Sequence, residues 1–304
     1  MSLEAPNPPD VQARPLAARW RPVPSVVVHR RTRSLSAQAA IAVIGVIAAI
    51  AVAGCGAKDS PSLGETAATT AEGAITPAAP SSPPAKEQCN QLPAGESAVA
   101  TAANEGQLAI YDQPGAATPV KTLTNPRLIN NDPNAKVPLT FLVKDIPDDS
   151  GCTWAQVYLP ERPNGSTGWV KTTDVTLSRN PYRIEVMLNE FKLLVFKDDQ
   201  QVNQIAIGVA KENTPTPGGL YYTTELIKTP DPSGSYGPYA FGLSGFSDTL
   251  TTFNGGPGQL GIHGTNQPNA IGTRVSHGCI RMSNENITAL AQTLPLGTPV
   301  QVTT

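Results

Sequence analysis

The chain has 304 residues, enough for two domains of ordinary size plus extended segments. Its 22 Lys and Arg are offset by 24 Asp and Glu, leaving a formal net charge of −2 and no whole-chain positive field for nucleic acid. No Walker sequence or dinucleotide fingerprint occurs, so no nucleotide cofactor is implied.

Residues 1–36 are Pro-rich and basic, with Arg14, Arg19, Arg21, Arg30, Arg31 and Arg33 against Glu4 and Asp10. The run 37–55 is apolar, with Gln38 its sole strongly polar residue, and its length lies between a signal-peptide core and a full membrane span. Arginines before it and none just after it predict a cytoplasmic N-terminus. Val52-Ala53-Gly54-Cys55 resembles a lipobox, which implies lipidation of Cys55; an uncleaved signal anchor with Cys55 at its outer edge is the alternative. Arg30-Arg31 lacks the rest of a twin-arginine signal. Either way the remainder is expected in the cell envelope, tethered at the outer face of the cytoplasmic membrane. Residues 56–87 are Ala, Thr, Ser, Pro and Gly with few large apolar side chains, and are expected to form a disordered linker.

Residues 88–179 read as a first folded domain. Short apolar runs at Leu108–Tyr111, Leu139–Val143, Trp154–Leu159 and Gly168–Val170 are separated by Pro, Asn, Asp and Gly, which predicts a small antiparallel barrel. The stretch Trp154–Val175 is similar to bacterial SH3-like modules. It holds no titratable cluster, so a spacer or wall-contact role is expected for it. Cys89 and Cys152 are candidates for a disulfide in an oxidising exterior, worth up to about 4 kcal/mol for a loop of that length.

Residues 180–304 read as a second, mainly β domain. Tyr182–Leu188 alternates, with Ile184, Val186 and Leu188 on one face, and turns lead into strands at Phe191–Lys197 and Val202–Ala210. Thr229–Ser247, rich in Gly, Ser and Pro, is expected to be a long loop, with Tyr236 and Tyr239 as lid candidates. Leu260–His263 predicts a strand. Ser283 is placed to cap one short helix carrying Ile287, Leu290 and Leu294, stopped by Pro295, before a closing strand at Pro299–Thr303.

The chemistry concentrates in His263–Met282, HGTNQPNAIGTRVSHGCIRM, which holds two of the three histidines and one of the four cysteines. A thiol nucleophile needs a base within reach and a third group to fix the tautomer of that base. Cys279 is the candidate nucleophile and His263 the candidate base, able to approach from a neighbouring strand. His277 is expected to point away from the thiol. Two other readings compete: a Cys buried as ordinary core, and zinc held by His263, His277 and Cys279. The polar, Gly-rich surroundings disfavour the first, and the lack of HExxH or paired CxxC disfavours the second.

This pattern, a His and a spacer followed by Ser-His-Gly-Cys, resembles the signature of the L,D-transpeptidase family with its YkuD-like catalytic domain. The resemblance implies a β-sandwich fold, Cys279 as nucleophile and His263 as base, oriented by the backbone carbonyl of Gly264. Ser276, His277 and Gly278 match the residues that shape the pocket, and Arg281 stands where many members carry Asn. Thr214–Gly219 resembles the family's Thr-Pro-x-Gly turn, and SH3-like modules precede such domains in actinobacteria. The activity implied is 3→3 cross-linking of peptidoglycan stem peptides through a Cys279 thioester, with carbapenem-type inhibitors acylating the same thiol and no cofactor or metal. Hydrolysis of the same stem, as in an L,D-carboxypeptidase, and a non-catalytic wall-binding lipoprotein are the alternatives.

Overall fold

The computed structural model describes residues 95–129, 132–147 and 151–304. The basic segment 1–36, the apolar run ending at Cys55, the 56–87 linker and Cys89 lie outside the described residues.

The first β unit contains β1 (Ser97–Ala102), β2 (Gly106–Ile110), β3 (Lys121–Asn125), β4 (Arg127–Ile129), β5 (Asp132–Val137), β6 (Thr140–Asp145), β7 (Trp154–Tyr158), β8 (Thr167–Lys171) and β9 (Val175–Asn180). An antiparallel sheet runs in the order β8-β7-β6-β1-β9, with β2–β3 and β4–β5 as two-stranded additions. The alternation of β7 explains its placement: Ala155 and Val157 are fully buried while Trp154, Gln156 and Tyr158 stay half-buried. The sequence marks fewer strands than exist here. β3 and β9 intersperse Thr, Lys, Ser and Arg with single apolar residues, and β4 is only three residues long, so none carries an apolar run of strand length.

The second unit contains β10 (Tyr182–Met187), β11 (Lys192–Lys197), β12 (Gln200–Ala206), β13 (Val209–Ala210), β14 (Gly219–Lys228), β15 (Tyr239–Phe246), β16 (Gln259–His263), β17 (Arg274–Ser276), β18 (Ile280–Arg281), α1 (Asn284–Thr293) and β19 (Pro299–Thr303). Eight of these strands form one sheet in the order β12-β11-β10-β19-β14-β15-β16-β18. The last strand in sequence is therefore interior, parallel to β10 and antiparallel to β14. Ile184, Val186, Leu193, Val195, Ile205, Val300 and Val302 fill one continuous core. Each such buried aliphatic side chain contributes about 1.5–3 kcal/mol relative to exposure. Ser283 caps α1 by accepting a hydrogen bond from the Asn286 N–H at 3.2 Å, and the helix buries Ile287 and Leu290, with Leu294 buried just past its end.

Two expectations are corrected. The expected loop 229–247 is a loop only in its first part, because Tyr239–Phe246 is β15, paired with both β14 and β16. Its glycines read as loop residues, yet they serve close packing: a Cβ on Gly245 would lie 2.3 Å from the Tyr221 ring. The expected strand 202–210 is split into β12 and β13, and β13 leaves the main sheet to pair with β17.

The two units meet without a linker. β9 ends at Asn180, whose buried side chain accepts the Tyr182 N–H at 2.9 Å and donates to Thr298 Oγ1 at 3.0 Å. The fully buried Tyr222 donates its hydroxyl to the Tyr158 carbonyl at 2.9 Å, and Arg127 pairs with the buried Glu225. Removing either partner of that ion pair would leave a charge poorly solvated. The first unit, for which a spacer or wall-contact role is expected, is thus joined to the second by buried hydrogen bonds and an ion pair.

Candidate active site

β16 and β18 are adjacent and parallel, with Ile262 opposite Ile280 and His263 opposite Arg281. Successive strand residues face opposite sides of a sheet. Ile262 and Ile280 both point into the core and are fully buried. Their neighbours Gly261, His263, Cys279 and Arg281 consequently share the other face. The alternation of two short strands thus brings together residues sixteen positions apart. Gly261 stands beside the thiol: a Cβ built there would lie 3.8 Å from Cys279 Sγ.

His263 is buried, and its Nδ1 lies 2.6 Å from the Gly264 carbonyl oxygen. A carbonyl only accepts, so Nδ1 carries the proton and Nε2 is left as a free base. Burial holds the imidazole down to a pKa of about 4; the Gly264 hydrogen bond opposes this and the charge of Arg281 adds to it. The Cys279 thiol is pushed up by burial, against the pull of the Gly261 backbone and the Arg281 charge. Cys279 keeps some accessible surface while its sulfur is closely enclosed. Burial thus favours the neutral form of each group, the thiol and the imidazole alike.

The turn carrying Cys279 is held from three sides. Ser276 Oγ donates to the Cys279 carbonyl and accepts the Gly278 N–H at 3.3 Å. Thr216 Oγ1 donates to the Gly278 carbonyl at 2.8 Å, and Lys211 N–H donates to the Ser276 carbonyl at 3.0 Å. Thr214 and Thr216 are both buried, and alternation within Thr-Pro-Thr-Pro was the available signal for their shared direction. Gly278 has φ +125°, a conformation that disfavours any side chain. In an extended segment residues two apart share a face, so His277 would flank the thiol; the turn at Gly278 breaks that extension. His277 is exposed, its ring 5.4 Å from that of Phe253.

Of the lid candidates, Tyr236 lies over the site, its ring centroid 4.6 Å from that of His263. Tyr239 does not belong to a lid: it begins β15, packs against the core and offers its carbonyl to the Gly264 N–H at 3.3 Å. Gly237 and Gly264 pack backbone to backbone, since a Cβ on Gly237 would sit 2.7 Å from the Gly264 Cα. Asn284 Oδ1 fills the remaining space and accepts the Thr265 N–H at 2.8 Å. Asn284 and Phe253 carry no sequence signal of a site role. Arg281 bonds Gln267 at 3.4 Å through Nη1, and its buried Nε has no hydrogen-bond partner among the described residues.

Among the described residues no three His, Cys, Asp or Glu side chains converge as a metal site. Cys279 is a free thiol. Cys152 is disulfide-bonded, and its expected partner Cys89 lies outside the described residues, as does Cys55.

A buried thiol and an imidazole on one face, with a free ring nitrogen able to act as a base, is an arrangement that cysteine-dependent acyl transfer and hydrolysis share. The model of the YkuD family, the L,D-transpeptidase catalytic domain, matches residues 181–302. YkuD of Bacillus licheniformis is 39% identical over 123 residues, which cover 40% of this chain and 66% of that protein; this chain therefore spans just under two thirds of that relative's length. YqjB of Bacillus subtilis is 31% identical over 138 residues, covering 42% of this chain and 73% of the relative. A solved L,D-transpeptidase from Mycobacterium smegmatis aligns with 54% of this chain and 90% of its own, at 15% identity and a TM-score of 0.34, a likeness too slight to bear on the site. The chain belongs to the L,D-transpeptidase family through its YkuD-type catalytic domain.

Proposed function

We propose that this chain forms 3→3 cross-links between peptidoglycan stem peptides. The observation that carries this reading is the shared face of Cys279 and His263, with the His263 proton fixed on Nδ1 by Gly264. As Cys279 Sγ attacks the carbonyl carbon of the third stem residue, its proton passes to His263 Nε2. The C–N bond to the terminal D-Ala then breaks, His263 returns the proton to the departing amine, and a thioester remains on Cys279. The side-chain amine of a diaminopimelate on a second stem attacks that thioester, and its proton returns through His263 to sulfur. The Gly278 N–H already meets Ser276 Oγ, so the Cys279 N–H is the better placed oxyanion donor. Arg281, a cation on the same face with an unpartnered Nε, suits a carboxylate of the stem.

The same reading places the protein in the cell envelope, tethered through Cys55 or a retained anchor, with the SH3-like unit next to the wall. Carbapenems, as strained acyl donors, are the expected inhibitors. Mass spectrometry of products from purified stem peptides tests the reaction. A cross-linked dimer with loss of one D-Ala, absent with Cys279→Ala, supports transpeptidation. A trimmed stem alone would instead make the protein a carboxypeptidase, and no product would leave it a wall-binding module.

A further inference from the structure

The segment 247–258 between β15 and β16 walls the site. Phe253 faces His277, and Asn254 Nδ2 donates to the Tyr236 hydroxyl at 3.4 Å, while Tyr236 covers His263. Little within the catalytic unit itself fixes this segment. Ser247 N–H meets the Gly258 carbonyl at 2.9 Å, Phe253 and Gly256 bridge one another, and the Ser247 hydroxyl caps the first turn.

Side chains of the other unit, from the β7–β8 loop, bind both ends of the segment. Arg162 donates from Nη1 to the Pro257 carbonyl at 2.8 Å, and from Nη2 to the Ser247 and Leu250 carbonyls at 3.0 and 3.1 Å. One guanidinium thus gathers three carbonyls from both ends of the segment, and its plane sits 4.7 Å above the Phe246 ring. Asn164 mimics a strand neighbour: its Nδ2 donates to the Phe246 carbonyl and its Oδ1 accepts the Phe246 N–H, both at 2.8 Å. Charge-assisted bonds to carbonyls are worth more than neutral ones, and the fork of Arg reaches several acceptors at once where Lys offers a point charge.

We propose that the N-terminal β unit is a working part of the active site: Arg162 and Asn164 clasp the 247–258 segment and so set the pocket wall of Phe253 and Tyr236 that receives the substrate. Arg162 is a positioning residue, acting more than one layer away from the thiol. The proposal rests on the acyl-transfer reading for what enters the pocket, and on geometry alone for the clasp.

The test compares full-length wild type with Arg162→Ala, Arg162→Lys and Phe253→Ala. Three quantities are read: amide hydrogen exchange, carbapenem acylation of Cys279, and alkylation of Cys279 by iodoacetamide, which is small enough to bypass the wall. Arg162→Ala should speed exchange across 247–258 and leave β1 and β10 unchanged. Its half-saturating carbapenem concentration should rise roughly ten- to a hundredfold, with the maximal acylation rate and the alkylation rate kept. Arg162→Lys should recover only part of this. Phe253→Ala should weaken carbapenem capture without altering exchange near Ser247. Unchanged exchange at 247–258 in Arg162→Ala, or unchanged capture with faster exchange, overturns the proposal. A parallel loss of iodoacetamide labelling overturns it too, since that is collapse of the nucleophile. If wild type takes up no carbapenem, the transpeptidase reading fails, and exchange alone decides the clasp.

Discussion

Gly261 stands beside Cys279, each one residue before the parallel Ile262–Ile280 pair, and a Cβ at Gly261 would come within 3.8 Å of the thiol sulfur and 3.0 Å of the Phe241 carbonyl. The glycine is needed here for its size, since its backbone lies in an ordinary strand and not at positive φ. Gly261→Val would put two further methyl groups over the approach to sulfur. We expect Cys279 labelling by a carbapenem to fall by about 10²-fold, with Gly261→Ala falling less. Equal labelling of the Val variant and wild type would show that the acyl donor approaches from elsewhere.

The proposed base is His263, whose Nδ1 lies 2.6 Å from the Gly264 carbonyl oxygen, while His277 is exposed beside Phe253. His263→Ala should retain the fold and lower acylation of Cys279 by the roughly 10²–10⁴ of lost general base catalysis. Wild type should gain one carbapenem mass on the Cys279 peptide, and Cys279→Ala none. A variant His277→Ala that abolished labelling while His263→Ala did not would reverse the two roles.

With its pKa held down to about 4 by burial, His263 is expected to set the acid limb of the proposed activity. Acylation should hold steady as pH falls through 6.5, where a free histidine titrates, and drop only near pH 4. Stability follows the same group. Between pH 6.5 and 4 the unfolded chain binds a proton that the folded chain does not, so stability is intact above 6.5 and falls as the pH drops to 4. The loss is about 3 kcal/mol in all. Urea midpoints of wild type and His263→Gln, compared across that range, isolate it. A wild-type acid limb centred near 6.5 would mean an accessible His263.

Cys152 is disulfide-bonded and Cys279 is free. An unreduced tryptic map should link Cys152 to Cys89 and show Cys279 alkylated. Reduction should cost the first unit up to about 4 kcal/mol, by the chain-entropy account. Complete alkylation of Cys89 without reductant would refute the pairing.

The lipobox-like end of the apolar run predicts lipid on Cys55 of the mature protein, and altered processing in Cys55→Ala. Recovery of residues before Cys55 on the mature chain, without lipid, would favour a retained anchor.

What was legible in the sequence is what depends on residue identity close along the chain. Cys279, His263 and the Ser276-His277-Gly278 turn are specified by chemistry, since few other side chains supply a thiol, an imidazole or φ +125°. The alternation of Ile184, Val186 and Leu188 fixed β10, and the pair Ser283 and Pro295 bracketed α1. Only the tertiary structure decided the rest. Tyr239 read as loop because its neighbours are Gly and Pro, yet pairing on both sides makes β15 a strand. The free nitrogen of His263 follows from a carbonyl contact and from burial, neither of which a sequence displays. Arg162 reaches across 85 positions to the Ser247 carbonyl, and Asn164 across 82 to Phe246. Their acceptors and donors are backbone groups, which every residue but proline's missing N–H provides alike. Such a bond leaves no mark on the identity of its partner, and only the folded chain reveals which carbonyls come within reach.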